Sequence, residues 1–228
     1  MNYFAHGYRF VTQPYVLAGT ALPDWLSVIN RRARLRSRRI EPILNDLMGT
    51  ERELATGVLQ HLHDDGWFHE TAEFYQVSGQ LTKAFRALLG PGDDHRPAFL
   101  GHITTELLLD AVLIERAPGG LEAYYAALGQ VNPREIEAFV NRISLAPVSD
   151  FERFLPLFVR ERFLFDYASD SALLTRLNQV LRRVKLFPLP AETVGVLSAA
   201  RCLVTERADQ LLIGLHRSTP QAAEDAVP

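Results

Sequence analysis

The sequence predicts an all-α protein, folded as a single-domain multi-helix bundle. Apolar residues recur mostly at three- and four-residue spacing, the period of a helix. Helix-start and helix-stop signals are frequent, and no segment reads as a strand. The connections are short, which makes successive helices antiparallel neighbours in one bundle.

The expected helices span 13–30, 38–47, 51–69, 70–89, 95–116, 120–129, 133–145, 150–168, 171–185 and 191–214. Thr50-Glu51-Arg52-Glu53 has the form of a capping box ahead of the third. Gly90-Pro91-Gly92-Asp93-Asp94 is a loop, and Ala117-Pro118-Gly119-Gly120 is a turn. Asn132-Pro133-Arg134-Glu135 supplies a cap residue and then proline at the first helical position. Ser149-Asp150-Phe151-Glu152 is a second capping box. It opens an aromatic segment, 150–165, that reads as core rather than as a ligand pocket. Phe187-Pro188-Leu189-Pro190 ends one helix and leads into the last. Ser218 to Pro228 is small and polar and is expected to fray. One domain is therefore drawn over 1–216, with a flexible tail at 217–228.

The composition, 47% hydrophobic and 22% charged over 228 residues, is that of an ordinary globular chain. No run approaches the ~20 apolar residues that span a bilayer, so membrane insertion is not expected. The start of the chain has no signal-peptide pattern, and the single cysteine, Cys202, suits a reducing compartment. The cytoplasm is the expected location.

The net charge of −3 is unevenly spread. Arg31, Arg32, Arg34, Arg36, Arg38 and Arg39 form a cationic run; without them 18 basic residues face 27 acidic ones. Such a run is either a solvated face or a dock for a phosphate or an acidic partner. It has no interleaved aromatics, which argues against nucleic acid.

Of seven histidines, six precede residue 103, so histidine chemistry belongs to the first half. Two segments stand out, 57–69 and 101–110. On a helix, residues at i and i+4 lie about 40° and about 6 Å apart. His61, Asp65 and His69 share one such stripe, and His102, Glu106 and Asp110 share another. Two facing helices with these stripes can converge on metal, as inward Glu and His do in helical di-iron bundles. His61 and His69 stand about 12 Å apart along the axis, too far for one ion. Either two ions lie along the groove or some members support the others. Hydrogen-bonded ion pairs are the alternative use of the same stripes. His63 lies about 200° from His61 and faces elsewhere. Asp64 is nearer the stripe and reads as a solvated neighbour. His95 reads as a cap or surface residue.

Met1-Asn2-Tyr3-Phe4-Ala5-His6, followed by Gly19-Thr20-Ala21-Leu22-Pro23-Asp24, resembles the start of the bacterial acyl carrier protein phosphodiesterases. Their opening, Met-Asn-x-x-Ala-His, precedes a Gly-Asn-x-x-x-Asp segment. Their His-x-x-x-Asp-x-x-x-Asp helix resembles His61, Asp65 and His69. Their later Asp-x-x-x-Asp pair resembles Glu106 and Asp110. The likeness covers about residues 1–115. It departs at Thr20, at Leu62-His63 where a basic pair is usual, and at His69 where a carboxylate is usual.

The resemblance implies an HD-domain-like helical fold and metal-dependent hydrolysis of a phosphoester. It implies one or two divalent ions, manganese in the family; histidine for carboxylate favours softer ions such as zinc, and iron is the third choice. The partner is then a phosphorylated small molecule or the phosphopantetheine arm of acyl carrier protein, with the arginine run docking an acidic carrier. Metal binding lowers the pKa of water toward about 7, giving a nucleophile at neutral pH. His61, Asp65, His102 and Glu106 are the expected ligands. Asp24, Asp110 and His69 are expected to ligate or bridge. Asp24 enters from the resemblance alone, as does His6, which would orient a ligand or donate a proton or simply pack. His6, Asp24 and Asp65 are the residues expected in catalysis. His102-Ile103-Thr104-Thr105-Glu106 also resembles the His-x-x-x-acid pairs of zinc-dependent phospholipase C. The rivals are a non-enzymatic helical metal-binding protein and di-iron redox chemistry.

Overall fold

The structure, a computed structural model, describes residues 1–90 and 95–215. The expected loop at 91–94, His216 and the tail at 217–228 lie outside the described residues. Among those described, every regular element is a helix and none is a strand. The α-helices are α1 (Tyr3–Gly7), α2 (Pro14–Ile29), α3 (Ser37–Ile40), α4 (Gly49–Glu70), α5 (Ala72–Leu89) and α6 (Pro97–Arg116). They continue as α7 (Gly120–Leu128), α8 (Pro133–Ile143), α9 (Phe151–Glu161), α10 (Asp170–Arg183) and α11 (Thr193–Leu211). Three 3-10 turns intervene at Tyr8–Phe10, Glu41–Asp46 and Phe163–Ala168.

The expected helices recur with three differences. Helix α1 has five residues, too few to show a hydrophobic period, and is absent from the sequence expectation. The helix expected at 38–47 is a single α turn followed by the Glu41–Asp46 3-10 turn. The one expected at 150–168 stops at Glu161, because Arg162 takes a left-handed φ of 45°.

Caps divide likewise. Asn132 accepts a hydrogen bond from the Arg134 amide as its sequence predicts. Neither capping box forms: α4 begins at Gly49 and α9 follows Asp150, both without a side-chain cap. The Phe151 amide donates instead to Glu137 Oε2 at 3.3 Å.

One hydrophobic core draws buried residues from all eleven α-helices. At its centre Trp25 is fully buried, with the rings of Phe151, Phe154 and Phe158 set edgewise around it. Removing such a ring costs about 3–5 kcal/mol.

Two close helix crossings set the frame of the site. Where α2 meets α4, a Cβ on Gly57 would lie 2.1 Å from the Val16 carbonyl oxygen. Where α5 meets α6, a Cβ on Gly101 would lie 2.5 Å from the Ser78 carbonyl oxygen. Only glycine permits backbones to approach this far.

Helix α6 is long and apolar enough, by length and composition, to cross a membrane, which simple inspection of apolar runs passes over. In this fold 72% of its most apolar window is buried inside the protein. It supplies Glu106 and Asp110 to the interior and the half-exposed His102 to a groove at its surface.

Candidate metal centre

The α2–α4 crossing fixes the first candidate ligand. His61 follows Gly57 by one turn, and its Nδ1 lies 2.8 Å from the Thr20 carbonyl oxygen. A carbonyl only accepts, so Nδ1 carries the hydrogen and Nε2 keeps its lone pair. Burial holds the His61 pKa below its ordinary value, which favours that neutral ring.

Against it lies His6 of α1, fully buried, the two rings stacked with centroids 4.0 Å apart. Both ring nitrogens of His6 are buried without a hydrogen-bond partner. Nε2 stands 3.7 Å from Asp65 Oδ1 and Nδ1 stands 4.0 Å from Asp64 Oδ2. Burial, with His61 beside it, holds the His6 pKa well below the usual imidazole value.

Helices α4 and α6 build a second group. Glu106 Oε1 is 2.7 Å from His69 Nε2 and 3.1 Å from His102 Nε2. The two groups adjoin: His69 Nδ1 is 3.6 Å from Asp65 Oδ2. The Met1 amino group bridges them, donating to Asp65 Oδ1 at 2.8 Å and to Glu106 Oε1 at 3.1 Å. Burial opposes its charge, but Glu106 and Asp65 outweigh that and push its pKa up to about 10. Burial also opposes ionisation of the two carboxyls. His6 and the Met1 ammonium outweigh it at Asp65, and the Met1 ammonium and His102 at Glu106, so both pKa values fall below the usual carboxylate range.

Six of the seven expected ligands thus lie in or beside one groove, but partitioned differently from the two stripes. His6, His61 and Asp65 form one set and His69, His102 and Glu106 the other. Within each set three donor atoms lie within 4.8 Å of one another. Imidazole and carboxylate donors at that separation can close on a single ion by small side-chain rotations. His6 is buried where an unpaired polar group is costly, and the ring nitrogen that keeps its lone pair fits a divalent ion as its missing partner.

Asp110 stands outside both sets. Its carboxylate accepts hydrogen bonds from the Phe4 amide at 2.9 Å and the Ala5 amide at 2.7 Å. It therefore anchors α1, and with it His6. Burial pushes its pKa up to about 7, opposed by those two amide bonds.

Asp24, half-buried on α2, lines both the groove, a cavity of about 500 Å³, and a larger cavity beside it. Burial raises its pKa to about 7; Glu106 and Asp65 add to the rise and the Met1 ammonium opposes it.

Asp64 is not the solvated neighbour its position suggests. It is buried, accepting from Arg9 Nη2 at 3.1 Å and Gln60 Nε2 at 2.7 Å. Arg9 also donates to the Leu215 carbonyl at 2.7 Å, tying the segment after α11 to the site wall. No sequence period marks Asp64; its only signal is a second acid beside a stripe residue. His63 is exposed as expected, and His95 lies beside Phe187, away from the groove.

No family model, no curated protein and no solved structure matches this chain.

Proposed function

We propose that this chain is a cytoplasmic metal-dependent phosphoester hydrolase with an HD-domain-like helical site. Its substrate would be a phosphorylated small molecule or the phosphopantetheine arm of acyl carrier protein. One observation carries the reading. His6, with both ring nitrogens buried and unpartnered, meets His61 and Asp65 beside a second set of two histidines and a carboxylate.

A divalent ion bound there would act as a Lewis acid toward a phosphoryl oxygen and activate water near neutral pH. The chain's own groups do the rest. His61, oriented by the Thr20 carbonyl, and His6, held by α1, present fixed donors. Asp65 stays ionised between the two sets. Asp24, at the edge of the same groove, is placed to exchange a proton with a leaving oxygen.

The test is metal analysis of purified protein together with turnover of bis(p-nitrophenyl) phosphate and p-nitrophenyl phosphate in added manganese or zinc. Metal-stimulated hydrolysis that is lost in Asp65→Ala, with helical circular dichroism kept, is the expected result. Metal binding without turnover would leave the non-enzymatic reading, and intact Asp65→Ala activity would remove Asp65 from the site.

The twin sets of two histidines and one carboxylate favour a second reading, since that combination also suits non-haem iron. Bound iron with redox-sensitive absorption, and no hydrolysis, would select it. A zinc-selective hydrolysis of phospholipid would instead favour the phospholipase C-like alternative.

A further inference from the structure

The larger cavity, about 970 Å³, lies between α2, α6, α9 and α10 and shares Asp24, Phe99 and Ile103 with the metal groove. That volume is at the upper end for small-molecule sites, about 300–1,000 Å³. Its wall is built from side chains such as Leu26, Leu35, Leu107, Phe154, Phe158 and Val180. The aromatic segment at 150–165 therefore serves both core and cavity, where the sequence suggests core alone.

Two arginine-bearing segments far apart in sequence meet around it. Arg31 and Arg34 come from the cationic run after α2, and Arg176, Arg182 and Arg183 come from α10. The Arg31 guanidinium donates to the Arg183 carbonyl at 3.3 Å, which joins the two segments. Arg176 is paired with Asp166. Arg31, Arg34, Arg182 and Arg183 have no carboxylate partner among the described residues, and the only acid lining the cavity is Asp24. Four guanidiniums without a carboxylate around one opening repel each other and gain from an anion placed among them. The uncharged polar groups of the lining that could read a base or a sugar are largely engaged within the protein: Asn2 donates to Tyr167, Ser27 to the Asp24 carbonyl and Asn30 to the Pro147 carbonyl, and Gln179 accepts from Arg176.

We propose that this cavity binds an anionic single-chain amphiphile. Its alkyl or acyl chain lies along the apolar wall, and its phosphate or carboxylate head is held by Arg34, Arg182 and Arg183. The site is independent of the hydrolase reading.

The test is calorimetric titration of metal-free protein, in EDTA, with dodecyl phosphate below its micellar concentration. Saturable one-to-one binding is expected. Dodecyltrimethylammonium and inorganic phosphate should each bind at least about 10-fold more weakly, the loss expected when a charge-assisted contact or the apolar chain is missing. The exposed-residue variant Arg34→Ala/Arg183→Ala should lose about 10-fold in affinity for dodecyl phosphate. Val180→Trp, which fills the cavity, should abolish binding, with unchanged circular dichroism showing that the fold is intact. Dodecanoate binding as tightly as dodecyl phosphate would support the site and identify carboxylate as an accepted head. No saturable binding, or equal affinity for the cationic amphiphile, would overturn the proposal. So would an affinity untouched by removal of the arginines. Because no metal or turnover is involved, failure here leaves the hydrolase reading standing, and the reverse.

Discussion

Gly19 and Gly57 meet where α2 crosses α4, so closely that a Cβ on Gly57 would lie 2.8 Å from the Gly19 Cα. One turn beyond Gly57 is His61, and next to Gly19 is Thr20, whose carbonyl receives the His61 ring. The crossing distance therefore sets the ring's position. Gly57→Ala should push the helices apart, lowering stability by about 1–3 kcal/mol. It should also weaken metal binding at the set containing His61. Urea unfolding and metal titration of the same variant measure both; an unchanged metal affinity would separate the crossing from the site.

Asp110 anchors α1 rather than facing the groove. Asp110→Ala leaves two buried amides unpartnered, so metal-free protein should lose about 1–3 kcal/mol. A residue that served only as a metal ligand would cost nothing in metal-free protein. Differential unfolding in EDTA distinguishes the two. Asp110→Asn keeps one acceptor oxygen and should recover part of the loss.

His6 and His102 belong to different donor sets. His6→Ala and His102→Ala should each reduce the bound metal from two ions to one per chain, and the double variant should bind none. Exposed His63 provides the control, and His63→Ala should leave stoichiometry unchanged. Plasma emission analysis after gel filtration reads the ratio directly.

The Glu106 carboxyl has a folded-state pKa below its ordinary 4.5. Its contribution to stability is then complete above about pH 4.5 and is lost as the pH falls below it. In metal-free protein the urea midpoint should decline from pH 4.5 downward, with a limiting slope near 1.4 kcal/mol per pH unit for one proton. Glu106→Gln should flatten that limb. An identical acid profile in the variant would show that Glu106 is not held ionised by the Met1 ammonium, His102 and His69.

Much of this was legible in the residues, for physical reasons that also mark where legibility stopped. Four-residue spacing placed His61, Asp65 and His69 on one face, and His102 with Glu106 on another, because helix geometry is local. The regrouping into two sets depends on how α1, α4 and α6 are oriented in space, which no local period encodes. Asp110 shares its spacing with true groove residues and differs only in what lies opposite, the amides of Phe4 and Ala5. Thr50 and Ser149 fit a capping pattern that the chain does not use, since α4 starts two residues early and Glu137 serves the Phe151 amide. His6 and Asp24 came only from resemblance to a family, and the structure sets both beside the groove.

The bond between Ala5 and Asp110 spans 105 residues. A five-residue helix has no stability of its own, and closing so long a loop yields nothing until α6 exists to receive it. The bonds that hold α1 can form only once α6 presents Asp110 to the Phe4 and Ala5 amides. Completion of the donor set that includes His6 therefore requires α6 to be in place. Until then the chain can be largely helical yet lack one of its two candidate donor sets.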